Sequence, residues 1–201
     1  MSASIEPSLG VMNSGWGVCG FTSTFYAMHH VNPGTRPWLI NATQAYSVLY
    51  EIRDYLMSVK GTTLETDIQS FTRSFGPPYD TFTFDTYIQR IDTASARLKE
   101  SDKIKDNELF GVAMPPHAVV DYITRAWKWK VSVHEFTTPA MITDAIVGVT
   151  EDWSNGKPYH GLCHYLYRGK HKYYSWGQEF ASLKQAMPKA SICYAITVSP
   201  P

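Results

Sequence analysis

A chain of 201 residues, 44% of them hydrophobic, carries enough apolar side chain for a full core, which excludes intrinsic disorder and predicts one domain over residues 1–201. Eighteen basic and eighteen acidic residues cancel, the isoelectric point lies near 7 and no basic run occurs; nucleic acid and an anionic membrane are excluded as electrostatic partners, leaving polypeptide or a small molecule. The three cysteines, Cys19, Cys163 and Cys193, are odd in number and form no CxxC pair, so neither a disulfide framework nor a zinc site is expected and a reducing compartment is the natural setting.

Met1 to Val11 has neither a charged start nor a long apolar stretch, and no apolar run approaches the roughly 18 residues of a membrane span. Neither Sec export nor membrane insertion is expected, the chain is placed in the cytoplasm, and no inhibitory propeptide is expected ahead of Cys19. From Cys19, the spacing of Phe21, Phe25 and Met28 predicts an amphipathic helix that buries one face. Asn32-Pro33-Gly34 and Arg36-Pro37 make a turn. Asn41 with Gln44 resembles a capping box for a second helix over Ala42 to Lys60, striped by Tyr46, Leu49, Tyr50 and Leu56. Gly61 ends it, and Thr62 with Glu65 caps a third helix carrying Leu64, Ile68, Phe71 and Phe75, which Gly76-Pro77-Pro78 stops. A fourth follows on Phe84, Tyr87, Ile88, Ile91 and Leu98, then a solvated polar loop from Lys99 to Asn107. Pro115-Pro116 opens a fifth with Val119, Val120, Ile123 and Trp127 on one side.

At Lys130 the period changes. Val131 and Val133 alternate as in a strand, and Thr138-Pro139 is predicted to start a helix that runs to about Asp152. Pro158 to Arg168 and Lys172 to Trp176 read as two strands around Gly169-Lys170, and Ile192 to Val198 as a last strand. The expected class is α+β: helices first, then a small, mostly antiparallel sheet.

The run Asn13-Ser14-Gly15-Trp16-Gly17-Val18-Cys19-Gly20 puts a thiol at a helix N-terminus, where unpaired amide N–H groups and the positive end of the helix dipole favour thiolate. Cys19 is the candidate nucleophile. Gly17 and Gly20 leave room for a substrate backbone, and the Asn13 carboxamide can join the Cys19 N–H in holding an oxyanion. Trp16 and Trp176 would wall the groove. A cysteine nucleophile needs a general base, and the base needs a group to fix its tautomer. Of seven histidines, His29 and His30 read as exposed residues ending the first helix, His117 and His134 as structural, and His171 as part of a turn. That leaves His160 and His164, which a single strand would place on one face. A turn at Gly169-Lys170 then sets His164 opposite Ser175 and His160 opposite Glu179, with Ser175 or Gln178 as candidate orienting groups and Gln178 or Glu179 in that role should His160 be the base. On a strand, His160 and His164 stand roughly 13 Å apart at about 3.3 Å per residue, too far to share one metal ion.

The Asn13-x5-Cys19-Gly20 motif opening a helix resembles the nucleophile motif of papain-like cysteine peptidases, including their bacteriocin-processing and bacterial toxin or effector branches. Ser175-Trp176-Gly177 resembles a second segment of that family. Those enzymes usually carry Gln where this chain has Asn13, and Asn or Asp where it has Tyr174. The resemblance covers Asn13–Met28 and about Thr138–Val198, and implies a papain-like fold with the nucleophile helix packed on the C-terminal sheet. It also implies a protease acting through a Cys-His acyl-thioester: Cys19 as nucleophile, His164 as base at the head of His-Tyr-Leu-Tyr with His160 in reserve, and Asn13 at the oxyanion. The substrate would be a protein or peptide, and no cofactor is needed. By the same analogy the chain is a bacterial toxin or effector delivered by a dedicated secretion system and met by a cognate immunity or inhibitor protein. Acting on a carboxamide, the same groups would make a glutamine deamidase or transglutaminase; acting on cell-wall peptides, an amidase. With Tyr174 in place of Asn, a catalytically degenerate binding module is the non-enzymatic alternative.

Overall fold

The computed structural model of the chain describes residues 17–33, 45–101, 110–135, 142–153 and 156–201. Helices lead: α1 (Cys19–Val31), α2 (Ala45–Val59), α3 (Thr63–Arg73), α4 (Phe84–Ser101) and α5 (Pro116–Tyr122), the last running into a π-helical turn at Ile123–Trp127. Strands follow: β1 (Lys130–Glu135), β2 (Ala145–Thr150), β3 (His164–Gly169), β4 (Lys172–Ser175), β5 (Gln178–Phe180), a short helix α6 (Leu183–Ala186) and β6 (Ser191–Ser199). The protein is thus α+β, and among the described residues the strands form one antiparallel sheet in the order β1-β6-β2-β3-β4-β5. Among the described residues no helix is long and apolar enough to cross a membrane.

Three sequence expectations in this half are corrected. The segment expected to be helical up to Asp152 contains β2, whose six residues are all buried. A central strand covered on both faces reads as a continuous apolar run, which periodicity cannot tell from a buried helix. The long strand expected from Pro158 is broken: Pro158–Gly161 is a 3-10 turn with positive φ at Tyr159, His160 and Gly161, and β3 starts only at His164. The β3–β4 turn lies at Lys170-His171, both with positive φ, and pairs Gly169 with Lys172. That is the tight hairpin geometry, two residues from the expected register. The expected capping box at Asn41 and the expected helix start at Thr138-Pro139 lie outside the described residues, and α4 continues to Ser101 where the polar loop was expected from Lys99.

Helix α1 is the centre of the molecule. Gly20 through Met28 are all buried, so it packs on every side rather than on the one face that its pattern predicts. It lies on the sheet against β3, β4 and β2. Phe21 meets Tyr122 edge-on at 4.9 Å between ring centres, and Phe25 reaches Tyr122 and Trp127 at 6.4 Å each. Thr22, Ser23 and Thr24 are poor helix formers. Burial of Phe21 and Phe25, each worth about 1.5–3 kcal/mol, therefore holds this helix more than its propensity does. Thr24 satisfies its buried hydroxyl by bonding back to the Gly20 carbonyl at 2.9 Å. On the other face of the sheet a smaller cluster, including Val147, Val149, Leu166 and Ile192, is covered by Trp176, Phe180, Leu183 and Met187.

Candidate active site

Cys19 is the first residue of α1 and is half-buried. Gly17, two residues before it, adopts φ +63°, and the position a Cβ would take there is 3.4 Å from the Gly111 Cα. A larger residue would be strained at that φ, so glycine is what lets the chain turn into the helix here. The Val18 carbonyl accepts from Phe21 N–H at 3.0 Å and Thr22 N–H at 3.1 Å. The Cys19 and Gly20 N–H groups are the helix-end donors left over. Burial pushes the Cys19 thiol up to about 11. A hydrogen bond from the Tyr165 backbone opposes this most strongly, the nearby Cys163 thiol adds to it, and the backbones of Gly20 and Cys19 itself oppose it further. The Tyr165 donor is free for the sulfur because β4 pairs with β3 only from Tyr167 to Gly169.

His164 heads β3. Its Nε2 lies 2.9 Å from Ser175 Oγ, and its ring stacks on Trp176 at 4.3 Å and 3°. Burial pulls this imidazole down to about 3. Ser175 stands diagonally from His164, one pair beyond Tyr167 and Tyr174, not directly opposite as expected. Trp176 and Gly177 make the β4–β5 turn, both with positive φ, which holds the indole over the imidazole.

The other predicted residues fall elsewhere. His160 sits in the 3-10 turn rather than on the strand of His164. Its Nε2 is 3.7 Å from Glu135 Oε2, and its ring is 5.7 Å from Tyr194, so it is not opposite Glu179. Gln178 is exposed at the start of β5, and His164 shares its hydrogen bond with Ser175 instead. His30, expected to be exposed, is half-buried against Tyr174 at 4.5 Å and Tyr167 at 5.1 Å between ring centres, because the end of α1 runs over the sheet instead of into solvent. His117 pairs with Asp67 at 3.0 Å on the surface. Asn13 and Trp16 lie outside the described residues.

Cys19 and His164 line one cleft, with no direct hydrogen bond between them. Phe71 and Phe75 form one wall, and Gly111 to Met114 of the irregular strap from Phe110 to Met114 another. Side-chain hydroxyls pin the strap. Tyr87 donates to the Phe110 carbonyl, Thr72 accepts from the Ala113 N–H at 3.0 Å, and Tyr165 donates to the Met114 carbonyl at 3.1 Å. At Gly111 a Cβ would lie 2.5 Å from the Tyr79 ring, which would have to shift to admit it. Gly20 makes room for Met114, 3.1 Å from where its Cβ would be, and not for a ligand as expected. The strap was missed in the sequence; its signal was a glycine in the apolar run Phe110-Gly111-Val112-Ala113-Met114 directly after a polar stretch. Among the described residues no three His, Cys, Asp or Glu side chains gather as a metal site, and all three cysteines are free thiols. A thiol, an imidazole with an orienting hydroxyl, and backbone N–H donors beside the sulfur are the parts needed for acyl transfer.

Compared with known proteins, the chain matches no protein-family model, no curated protein sequence and no solved structure.

Proposed function

We propose that this protein is a cysteine hydrolase of papain-like arrangement that cleaves an amide bond in a polypeptide. Cys19 attacks the carbonyl and His164, oriented by Ser175, takes the thiol proton and returns it to the leaving amine. Backbone N–H groups at the start of α1 steady the oxyanion. The observation that carries this reading is the shared cleft: a helix-end thiol and an imidazole held by a hydroxyl line the same cavity, though 145 positions separate them in the chain (164 − 19). A polypeptide substrate is supported by the strap. Gly111 and Val112 line the cleft and their backbone groups make no hydrogen bond among the described residues, so an extended chain can pair with them. Incubation with unfolded proteins tests the reading: peptide fragments are expected with the wild type and none with Cys19→Ala of equal melting temperature. Intact targets carrying only amide-to-acid conversion would assign deamidation instead.

A second reading, a binding module that uses the cleft without chemistry, draws on the raised thiol and the absence of a direct bond between Cys19 and His164. It predicts that Cys19→Ala changes nothing while Gly111 and Phe71 variants abolish function.

A further inference from the structure

Among the described residues, the cleft around Cys19 is lined by no formally charged side chain. Its walls come from α3, the loop after α3, the strap, the start of β3 and the β4–β5 turn, and none of them contributes Asp, Glu, Lys or Arg. Among the described residues, the titratable side chains that line the cleft with the thiol are Tyr79, Cys163, His164 and Tyr165. Among the described residues His164 has one hydrogen-bond partner, the Ser175 hydroxyl, which carries no charge to hold an imidazolium. One face of its ring is covered by the parallel indole of Trp176, which donates no hydrogen bond to it. Two phenyl rings, Phe71 and Phe75, and the Leu162 and Met114 side chains complete an apolar surround. In such a place a separated thiolate and imidazolium lose more hydration than their attraction returns.

Building on the acyl-transfer reading, we propose that the resting centre is uncharged, a thiol and a neutral imidazole, and that charge appears only during attack. Ser175 is then a positioning residue. With the proton on Nε2, His164 donates to Ser175 Oγ and keeps Nδ1 bare as the acceptor. As the sulfur adds to the substrate carbonyl, the S–H bond breaks, the S–C bond forms, the proton passes to Nδ1 and the carbonyl π pair becomes the oxyanion. The imidazolium then gives that proton to the leaving nitrogen. The raised thiol and lowered imidazole follow from the same burial.

The test is the rate of Cys19 alkylation by iodoacetamide, followed site by site by mass spectrometry from about pH 4 to about pH 10. In the wild type the rate is expected to climb without an acid plateau, with a midpoint above the ~8.5 of a free thiol. Ser175→Asp supplies the missing charge and is expected to raise the rate near pH 6 by at least about tenfold; Ser175→Thr is expected to retain the wild-type profile. If Ser175→Asp fails to fold, the wild-type profile alone decides. A wild-type plateau below about pH 6 that His164→Ala abolishes would mean a preformed ion pair and overturn the proposal, while leaving the acyl-transfer reading intact. Hydrolysis of a peptide ester, assayed on the same samples, separates the two levels: no turnover in any variant would overturn the reading underneath.

Discussion

At one end of α1 the Cys19 thiol meets the start of β3 and shares a cleft with His164; at the other, His30 packs 4.5 Å from the Tyr174 ring and 5.1 Å from Tyr167. Burial is the main cause that lowers both imidazoles, His164 to about 3 and His30 to about 4. Their surroundings differ. His164 has a hydrogen-bonded hydroxyl, a stacked indole and an apolar cavity shared with a thiol. His30 lies among tyrosines, with His29 and Lys170 lowering it further and Asp144 and Glu179 pulling back. A perturbed histidine marks a candidate site only when a nucleophile and an open cavity accompany it.

The largest effect that can break this contrast is at the sulfur. Cys19→Ala is expected to reduce turnover to background with melting unchanged, read by peptide-ester hydrolysis and thermal unfolding. His164→Ala should lower kcat/KM by about 10²–10⁴-fold, the usual worth of a general base. Gly111→Ala pushes a methyl into the Tyr79 ring, an overpacking of about 1–3 kcal/mol; unfolding midpoints should fall and KM should rise. Ser175→Ala should lower kcat roughly tenfold, about the worth of one hydrogen bond to the base, and Ser175→Thr should restore it. The smallest effect on turnover is expected at the other end of α1, where His30→Phe should stay within about twofold of wild type.

That last variant has a separate signature in stability. His30 in the fold is depressed from 6.5 to about 4, so between those values the unfolded chain binds more protons and stability falls as the pH drops through that window. His164 adds a similar acid loss from 6.5 down through about 3. His30→Phe should flatten the upper part of this slope in denaturant melts. An unchanged slope would mean that the His30 imidazole is hydrated in the native state.

Much of this arrangement is legible in the residues themselves. The helix starting at Cys19 announces itself through Phe21, Phe25 and Met28, and α3, β1 and β6 through their own periods. His164 and Ser175 come together even though the hairpin register lies two residues from expectation. Strand faces alternate with period two, and a shift by an even number keeps both side chains on the same face. What was not legible depends on long-range contacts. β2 reads like helix because both of its faces are covered. The Gly111 strap acquires its role from Tyr79, Thr72 and Tyr165, all distant in sequence. The Tyr165 N–H is a backbone donor exposed only because β4 leaves β3 early. His160 left the strand because Pro158 and the positive-φ residues after it turn the chain before β3 begins.

The central claim is that the sulfur of Cys19 carries the acyl group. Rapid mixing with a slowly hydrolysed peptide ester, acid quenching and peptide mapping by mass spectrometry would locate it. The adduct is expected on Cys19, forming far more slowly in His164→Ala. An adduct on Cys163 or Ser175, or undiminished turnover in Cys19→Ala, would contradict it.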